Sequence, residues 1–223
     1  MTPVRLAVLA SGGGSNLQAI VDHARARAGR CAYDVVLVAS SRDDAFALER
    51  ARRDGIANVV LRPTDAGGEM LDDVLAAHGI EMIALAGYLR LVPRQVTARF
   101  AGHLLNVHPA PLPVFGGPGM YGARVHRAVL AQGATMSGPT VHLVDEAYDH
   151  GDAIAHWPVP VLSDDDPETL GRRVLRAEHL LYPRIVQLVA GTTVQPSVGT
   201  LPAFDDSLDD VALAGMLDRT LAA

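Results

Sequence analysis

Short apolar runs alternate with stretches of helical spacing along this chain. Residues 5–10 are a continuous apolar run suited to a buried parallel strand, and Leu17, Ile20, Val21 and Ala24 then recur at helical spacing. The pattern repeats. Residues 35–40 predict a second strand, and residues 45–54 a charged amphipathic helix closed by Gly55. Residues 56–61 predict a third strand, shorter and nearer an edge. Leu71, Val74 and Leu75 mark a helix that ends at His78-Gly79, and residues 82–87 a fourth strand continuous enough to be central. Strands that alternate with helices predict an α/β fold: a mostly parallel twisted sheet with helices on both faces, in a single domain.

The second half keeps the alternation with more punctuation. Residues 104–109 read as a strand stopped by Pro109. Residues 109–122 hold so many prolines and glycines that they predict a shaped loop. A helix resumes at Val125–Leu130, a strand at residues 138–144, and residues 153–160 read as the last strand, carrying Trp157. Asp166 can cap a long helix with Pro167 at its first position, with Leu170, Val174, Leu181, Ile185 and Val189 as its apolar stripe; Pro183 should kink it. The tail from Gly191 ends in a short amphipathic segment, residues 211–221.

Chemistry concentrates in a few places. A period of two puts Asn106 and His108 on the same face of their strand, an amide donor beside an imidazole, which suits an oxygen that gains negative charge. The acidic loop 144–151 offers a carboxylate to orient that imidazole. Ser11-Gly12-Gly13-Gly14-Ser15-Asn16 joins strand to helix; Ser15 or Asn16 can cap the helix and leave its first N–H groups free for an anion. The loop reads either as a tight turn without a ligand or as a monophosphate site. It is a poor dinucleotide fingerprint, because Leu17 stands where the third glycine belongs, and no Lys-Ser/Thr follows to make a P-loop. Residues 88–93 read as a hydrophobic loop leading into a helix, or as an apolar slot for a flat ring. His142, inside its strand, reads as a core imidazole satisfying a hydrogen bond. Glu178 and His179 read as helix surface.

Charge and composition narrow the field. A formal net charge of −6 with no basic run argues against a nucleic-acid surface. The single cysteine, Cys31, forms no internal disulfide and fits a reducing compartment. No apolar stretch approaches the roughly 18 residues of a membrane helix. Residues 1–5 lead straight into a strand-like run, so the expected location is cytoplasmic. The histidines lack metal-ligand spacing, so no metal is expected.

These residues together resemble the folate-dependent formyltransferases, most closely the glycinamide ribonucleotide branch. The resemblance runs from about residue 5 to residue 188. Its anchors are residues 13–20, 85–90, 105–109 and 141–151, with Glu178-His179 and Tyr182-Pro183 as a fifth. It implies a Rossmann-like catalytic domain over residues 1–190, phosphate-binding in its first half and folate-binding in its second, with residues 191–223 packed on it as a tail. By the same resemblance Gly14, Ser15 and Asn16 hold the phosphate of glycinamide ribonucleotide, and Glu178 contacts its sugar or amine side. Leu89, Arg90, Leu91, Val92 and Asn106, with Asp145, Glu146, Ala147, Tyr148 and Asp149, bind the pterin of the co-substrate 10-formyltetrahydrofolate. Asn106, His108 and Asp149 form the catalytic group. The implied partners are these two small molecules, with no nucleic acid or membrane, in a monomer or homodimer. Two departures from the family pattern are visible. Loop 116–122 is longer and richer in glycine than in many members, and the 62–69 connection is short, leaving Arg62 as the candidate basic residue near the folate. The rival readings are a 10-formyltetrahydrofolate hydrolase, a methionyl-tRNA formyltransferase and a non-catalytic nucleotide-binding module.

Overall fold

The computed structural model describes residues 2–62, 69–192 and 196–222. The 62–69 connection singled out above falls largely outside them. The first half forms as its pattern predicts: β1 (Val4–Leu9), α1 (Ser15–Ala26), β2 (Tyr33–Ser40), α2 (Phe46–Arg53), β3 (Ala57–Val60), α3 (Glu69–Ala77), β4 (Met82–Leu85), α4 (Arg94–Arg99) and β5 (Leu104–His108). The second half adds α5 (Ala123–Ala131), β6 (Met136–Ser137), β7 (Thr140–Leu143), β8 (Ala153–His156), β9 (Val159–Pro160), α6 (Pro167–Ala190), β10 (Gly199–Thr200) and α7 (Asp210–Leu221).

Among the described residues, eight strands make one sheet in the order β10-β8-β7-β5-β4-β1-β2-β3. The strands from β5 to β3 run parallel, β7 is antiparallel to both its neighbours, and β10 lies parallel to β8. β4 is central and β3 is an edge strand, as the lengths of their apolar runs implied. One face of the sheet buries Leu6, Val8, Leu105 and Val107 with α1, α5 and α6 residues such as Leu17, Val125 and Leu181. The other buries Ala7, Leu9, Ile83 and Leu104 with Leu71, Leu75 and Val96 of α3 and α4. Alternate residues of one strand thus feed two cores, which is why these runs are apolar throughout instead of alternating.

Three expectations change. The predicted strand 153–160 breaks at Trp157, which is fully buried; its first half pairs with β7 and its second with β6. β8 is not the last strand, because the tail returns as β10 to extend the sheet edge. α6 continues as one helix through Pro183. Its start is as predicted, with Asp166 accepting from the Glu168 and Thr169 N–H groups and Thr169 Oγ1 closing a capping box.

Candidate active site

At the carboxyl ends of β1, β4 and β5 lies a cavity of about 860 Å³, within the range of roughly 300–1,000 Å³ usual for small-molecule sites. The register of the sheet places Asn106 opposite His142 and beside Leu85, with His108 one pleat further toward the mouth. The acidic loop after β7 brings Asp149 onto the same spot. Its backbone is left-handed (φ 53°), a conformation Asp tolerates better than most residues.

The hydrogen bonds assign each polar atom. His108 is 3% exposed, and its Nε2 lies 2.9 Å from the Phe115 carbonyl. A carbonyl only accepts, so Nε2 carries a proton and Nδ1 is the nitrogen that gains or loses one. Nδ1 lies 3.4 Å from Asp149 Oδ2, which also accepts from the Gly117 N–H at 3.0 Å. Burial works to raise the Asp149 pKa, but the hydrogen bond and charge of His108, with the Gly117 N–H, hold it below its ordinary value. Gly116 is needed for this approach: a Cβ there would lie 2.6 Å from Leu112 Cδ2 and 2.9 Å from Asp149 Cβ.

His142 belongs to this group as well. Its Nδ1 donates to the Leu143 carbonyl at 2.7 Å, so a neutral ring leaves Nε2 to accept from Asn106 Nδ2 at 3.0 Å. Burial pushes its pKa down and favours that neutral form. One N–H of Asn106 is therefore fixed by His142. The other has a long 3.4 Å contact with Asp149 Oδ1 and is the donor left for a ligand oxygen.

The opposite side of the cavity is set by α1 and α6. The expected cap by Ser15 or Asn16 does not form. The N-cap is Gly14 in a left-handed conformation (φ 71°), where a Cβ would lie 2.8 Å from Ala47 Cα, and no side chain caps the helix. The N–H groups of Ser15, Asn16 and Leu17 have no acceptor among the described residues. Asn16 instead donates from Nδ2 to Glu178 Oε2 at 2.6 Å across 162 residues of sequence, leaving its buried Oδ1 without a partner. Glu178 is 6% exposed and not on the helix surface. Burial pushes its carboxyl up to about 7, despite the Asn16 bond and the charge of His108.

Leu85, Leu89, Leu91, Val92 and Val144 line an apolar wall that suits a flat ring, with Arg90 beside them. Ala147, Tyr148 and Asp149 also line the cavity. Asp145 and Glu146 do not: Asp145 accepts from the Ala147 N–H and pairs with His150, and Glu146 pairs with Arg94. Arg62 is exposed. Sequence reasoning passed over the Phe115 carbonyl, the Gly117 N–H, Tyr121, His126 and Leu175. Tyr121 lies in the loop that periodicity could not place, and Leu175 lies in the predicted final helix but off its apolar stripe, so neither stood out.

An open α/β sheet whose crevice holds an Asn–His–Asp group on one side and the Asn16–Glu178 pair on the other has the layout of a small-molecule enzyme site. The chain belongs to the formyl transferase family, whose profile matches residues 4–186. It is 44% identical over 188 residues to the chloroplastic phosphoribosylglycinamide formyltransferase of Arabidopsis thaliana, a match covering 82% of this chain and 64% of that protein. The crystal structure of glycinamide ribonucleotide transformylase 1 from Symbiobacterium toebii is similar with a TM-score of 0.78 and 37% identity, over 91% of this chain and 95% of that one. Phosphoribosylglycinamide formyltransferase from Brucella melitensis is similar with a TM-score of 0.75 and 38% identity, over 86% and 98%. The chain spans less than two thirds of the length of the plant relatives, 64% for Arabidopsis thaliana and 60% for Vigna unguiculata. No helix among the described residues is long and apolar enough to cross a membrane.

Proposed function

We propose that this protein transfers the formyl group of 10-formyltetrahydrofolate to the amine of N1-(5-phospho-D-ribosyl)glycinamide, giving N-formylglycinamide ribonucleotide and tetrahydrofolate. The observation that carries the reading is the meeting of Asn106, His108 and Asp149 in one cavity that also reaches Asn16 and Glu178. The phosphate would sit on the N–H groups that follow Gly14, with Ser15 and Asn16 around it. Glu178 and the free Oδ1 of Asn16 form a pair of acceptors for the sugar hydroxyls or the amine. The apolar wall from Leu89 to Val92, with Ala147 and Tyr148, would hold the pterin. Asp145 and Glu146 would support the loop from behind.

In the reaction the amine nitrogen bonds to the formyl carbon and the carbonyl oxygen becomes an oxyanion. The Asn106 N–H that has only the long contact with Asp149 and the protonated Nδ1 of His108 stabilise it, and Asp149 balances the charge of the imidazolium. The proton lost by the amine passes through this group to the departing folate nitrogen as its bond to carbon breaks. Side-by-side alignment of the two substrates supplies much of the remaining acceleration. A cytoplasmic location and a monomeric or homodimeric state belong to the same reading.

The test is to mix the protein with a 10-formyl folate, with and without glycinamide ribonucleotide, and follow deformylated folate. Release that requires the amine is the expected result. Release without it identifies a hydrolase, and no release in either case refutes formyl transfer.

A further inference from the structure

Residues 196–222 lie beyond the family match, which ends at residue 186, yet they are tied to the helix that carries Glu178. β10 pairs with β8, and Phe204 sets its ring edge against Trp157 with centroids 5.1 Å apart. Leu213 and Leu217 of α7 are buried in the core. Three arginines of α6 then grip the tail. Arg173, itself held by Asp165 and the Pro160 carbonyl, reaches Asp206 at 3.3 Å. Arg176 bonds Asp206 at 2.9 Å, Asp210 at 2.6 Å and the Leu208 carbonyl, and its guanidinium lies over the Phe204 ring. Arg184 bonds Asp218 at 2.8 Å, which Arg27, just past the end of α1, also meets.

At 3.6 residues per turn, Arg173, Arg176 and Arg184 point about 180° away from Gly171, Leu175 and Glu178. The latter three line the cavity. α6 is thus held by the tail on one side and presents its ligand-facing stripe on the other. α6 also packs on α1 and α5 in the core, and the tail adds a further hold on its rotation and tilt from the side away from the cavity.

We propose that residues 196–222 are a latch that sets the position of α6 and thereby tunes binding of the amine-bearing substrate at Glu178 and Asn16. Asp206 and Asp210 are positioning residues that act through Arg173 and Arg176. The inference rests on the formyl-transfer reading above, and it separates the two substrates: the wall from Leu89 to Val92 and the loop 147–149 have no contact with the tail in the bonds described, so formyl-donor binding stays as it is.

The test is the double variant Asp206→Asn with Asp210→Asn, assayed for both substrates, with the emission of the single tryptophan reporting whether Phe204 stays seated. The expected result is a red-shifted emission and a KM for glycinamide ribonucleotide about tenfold higher, equal to ~1.4 kcal/mol of binding. kcat and the KM for the formyl donor then stay within about twofold, as for residues remote from the chemistry. An unchanged acceptor KM, whatever the emission does, overturns the latch. So does a parallel change in both KM values and kcat, which marks a tail that only holds the fold together. If the double variant does not fold, Arg176→Lys, which keeps the charge but loses the planar fork, decides by the same readouts. Failure of the unaltered chain to bind glycinamide ribonucleotide overturns the functional reading itself.

Discussion

Residues 145–150 take part in two aspartate–histidine pairs. Asp145 Oδ2 lies 2.5 Å from His150 Nδ1, with the side chains 40% and 77% exposed. Asp149 Oδ2 lies 3.4 Å from His108 Nδ1, with the side chains 11% and 3% exposed. By distance alone the first is the stronger bond. Water decides otherwise. An exposed pair is screened and loses side-chain entropy to form, while a pair withdrawn from solvent interacts through a medium that screens it far less. Asp149 also has the Gly117 N–H and Asn106 around it, so its position is determined by several contacts at once.

The comparison is tested most severely at Asp149. Asparagine has the same shape and tolerates the left-handed backbone at this position, so Asp149→Asn keeps the fold while removing the charge that faces His108. The expected loss in kcat is roughly 10²–10⁴-fold, the usual range for a group in acid–base catalysis. Circular dichroism matching the unaltered protein, together with near-normal turnover, would show that the buried pair is no more important than the exposed one. Asn106→Ala comes next. It removes the oxyanion donor and leaves His142 Nε2 without its partner, with an expected loss of about 10²–10³-fold in kcat and little change in either KM.

A third carboxylate sharpens the contrast because, among the described residues, it is buried with an amide and no basic partner in contact. Glu178 is raised from 4.5 to about 7, so in that interval the folded chain keeps a proton that the unfolded chain has lost. Stability therefore falls as pH rises: the contribution is complete below about 4.5 and gone above about 7. The difference is on the order of 3 kcal/mol by the usual conversion of pKa shift to free energy. Asp149 has the opposite sign, its contribution being lost as pH falls through its depressed value, below this window. Thermal unfolding of Glu178→Gln between pH 5 and 7 should be flatter than that of the unaltered protein. Parallel melting curves would mean that Glu178 is ionised throughout.

What could be read in the chain beforehand follows from how each feature is encoded. The strands and helices of the first half announce themselves because each is a local pattern of apolar residues. Asn106 and His108 are legible for the same reason, since a period of two within one strand puts both on one face. The rest of the site depends on the fold. His142 looks like any imidazole in an apolar strand until the antiparallel register of β7 sets it opposite Asn106. The Phe115 carbonyl and Gly117 N–H are backbone groups in a loop without periodicity, and no residue type marks them. Asn16 was expected at a helix cap, but its bond to Glu178 spans the chain. β10 is two residues long, too short to show a pattern, and exists because the β8 edge was open to receive it.

The exposed pair gives the smallest expected effect and completes the test. Burial leaves His150 essentially untouched; its hydrogen bond and charge contact with Asp145 raise its pKa. The Asp145 carboxyl is partly desolvated, which works to raise its pKa, but the bond from His150 and the Ala147 N–H outweigh this and hold it below its ordinary value. These shifts describe a real contact whose energy is mostly returned to solvent. His150→Ala should leave kcat and both KM values within about twofold, as expected for a screened surface pair. Asp145→Asn should do slightly more, because the loss of its charge also weakens the turn bond to the Ala147 N–H at the edge of the ring-binding wall. A small rise in the formyl-donor KM alone is the expected sign. If His150→Ala instead lowered kcat as far as Asn106→Ala, proximity and not burial would govern this loop, and the ranking of the two pairs would have to be reversed.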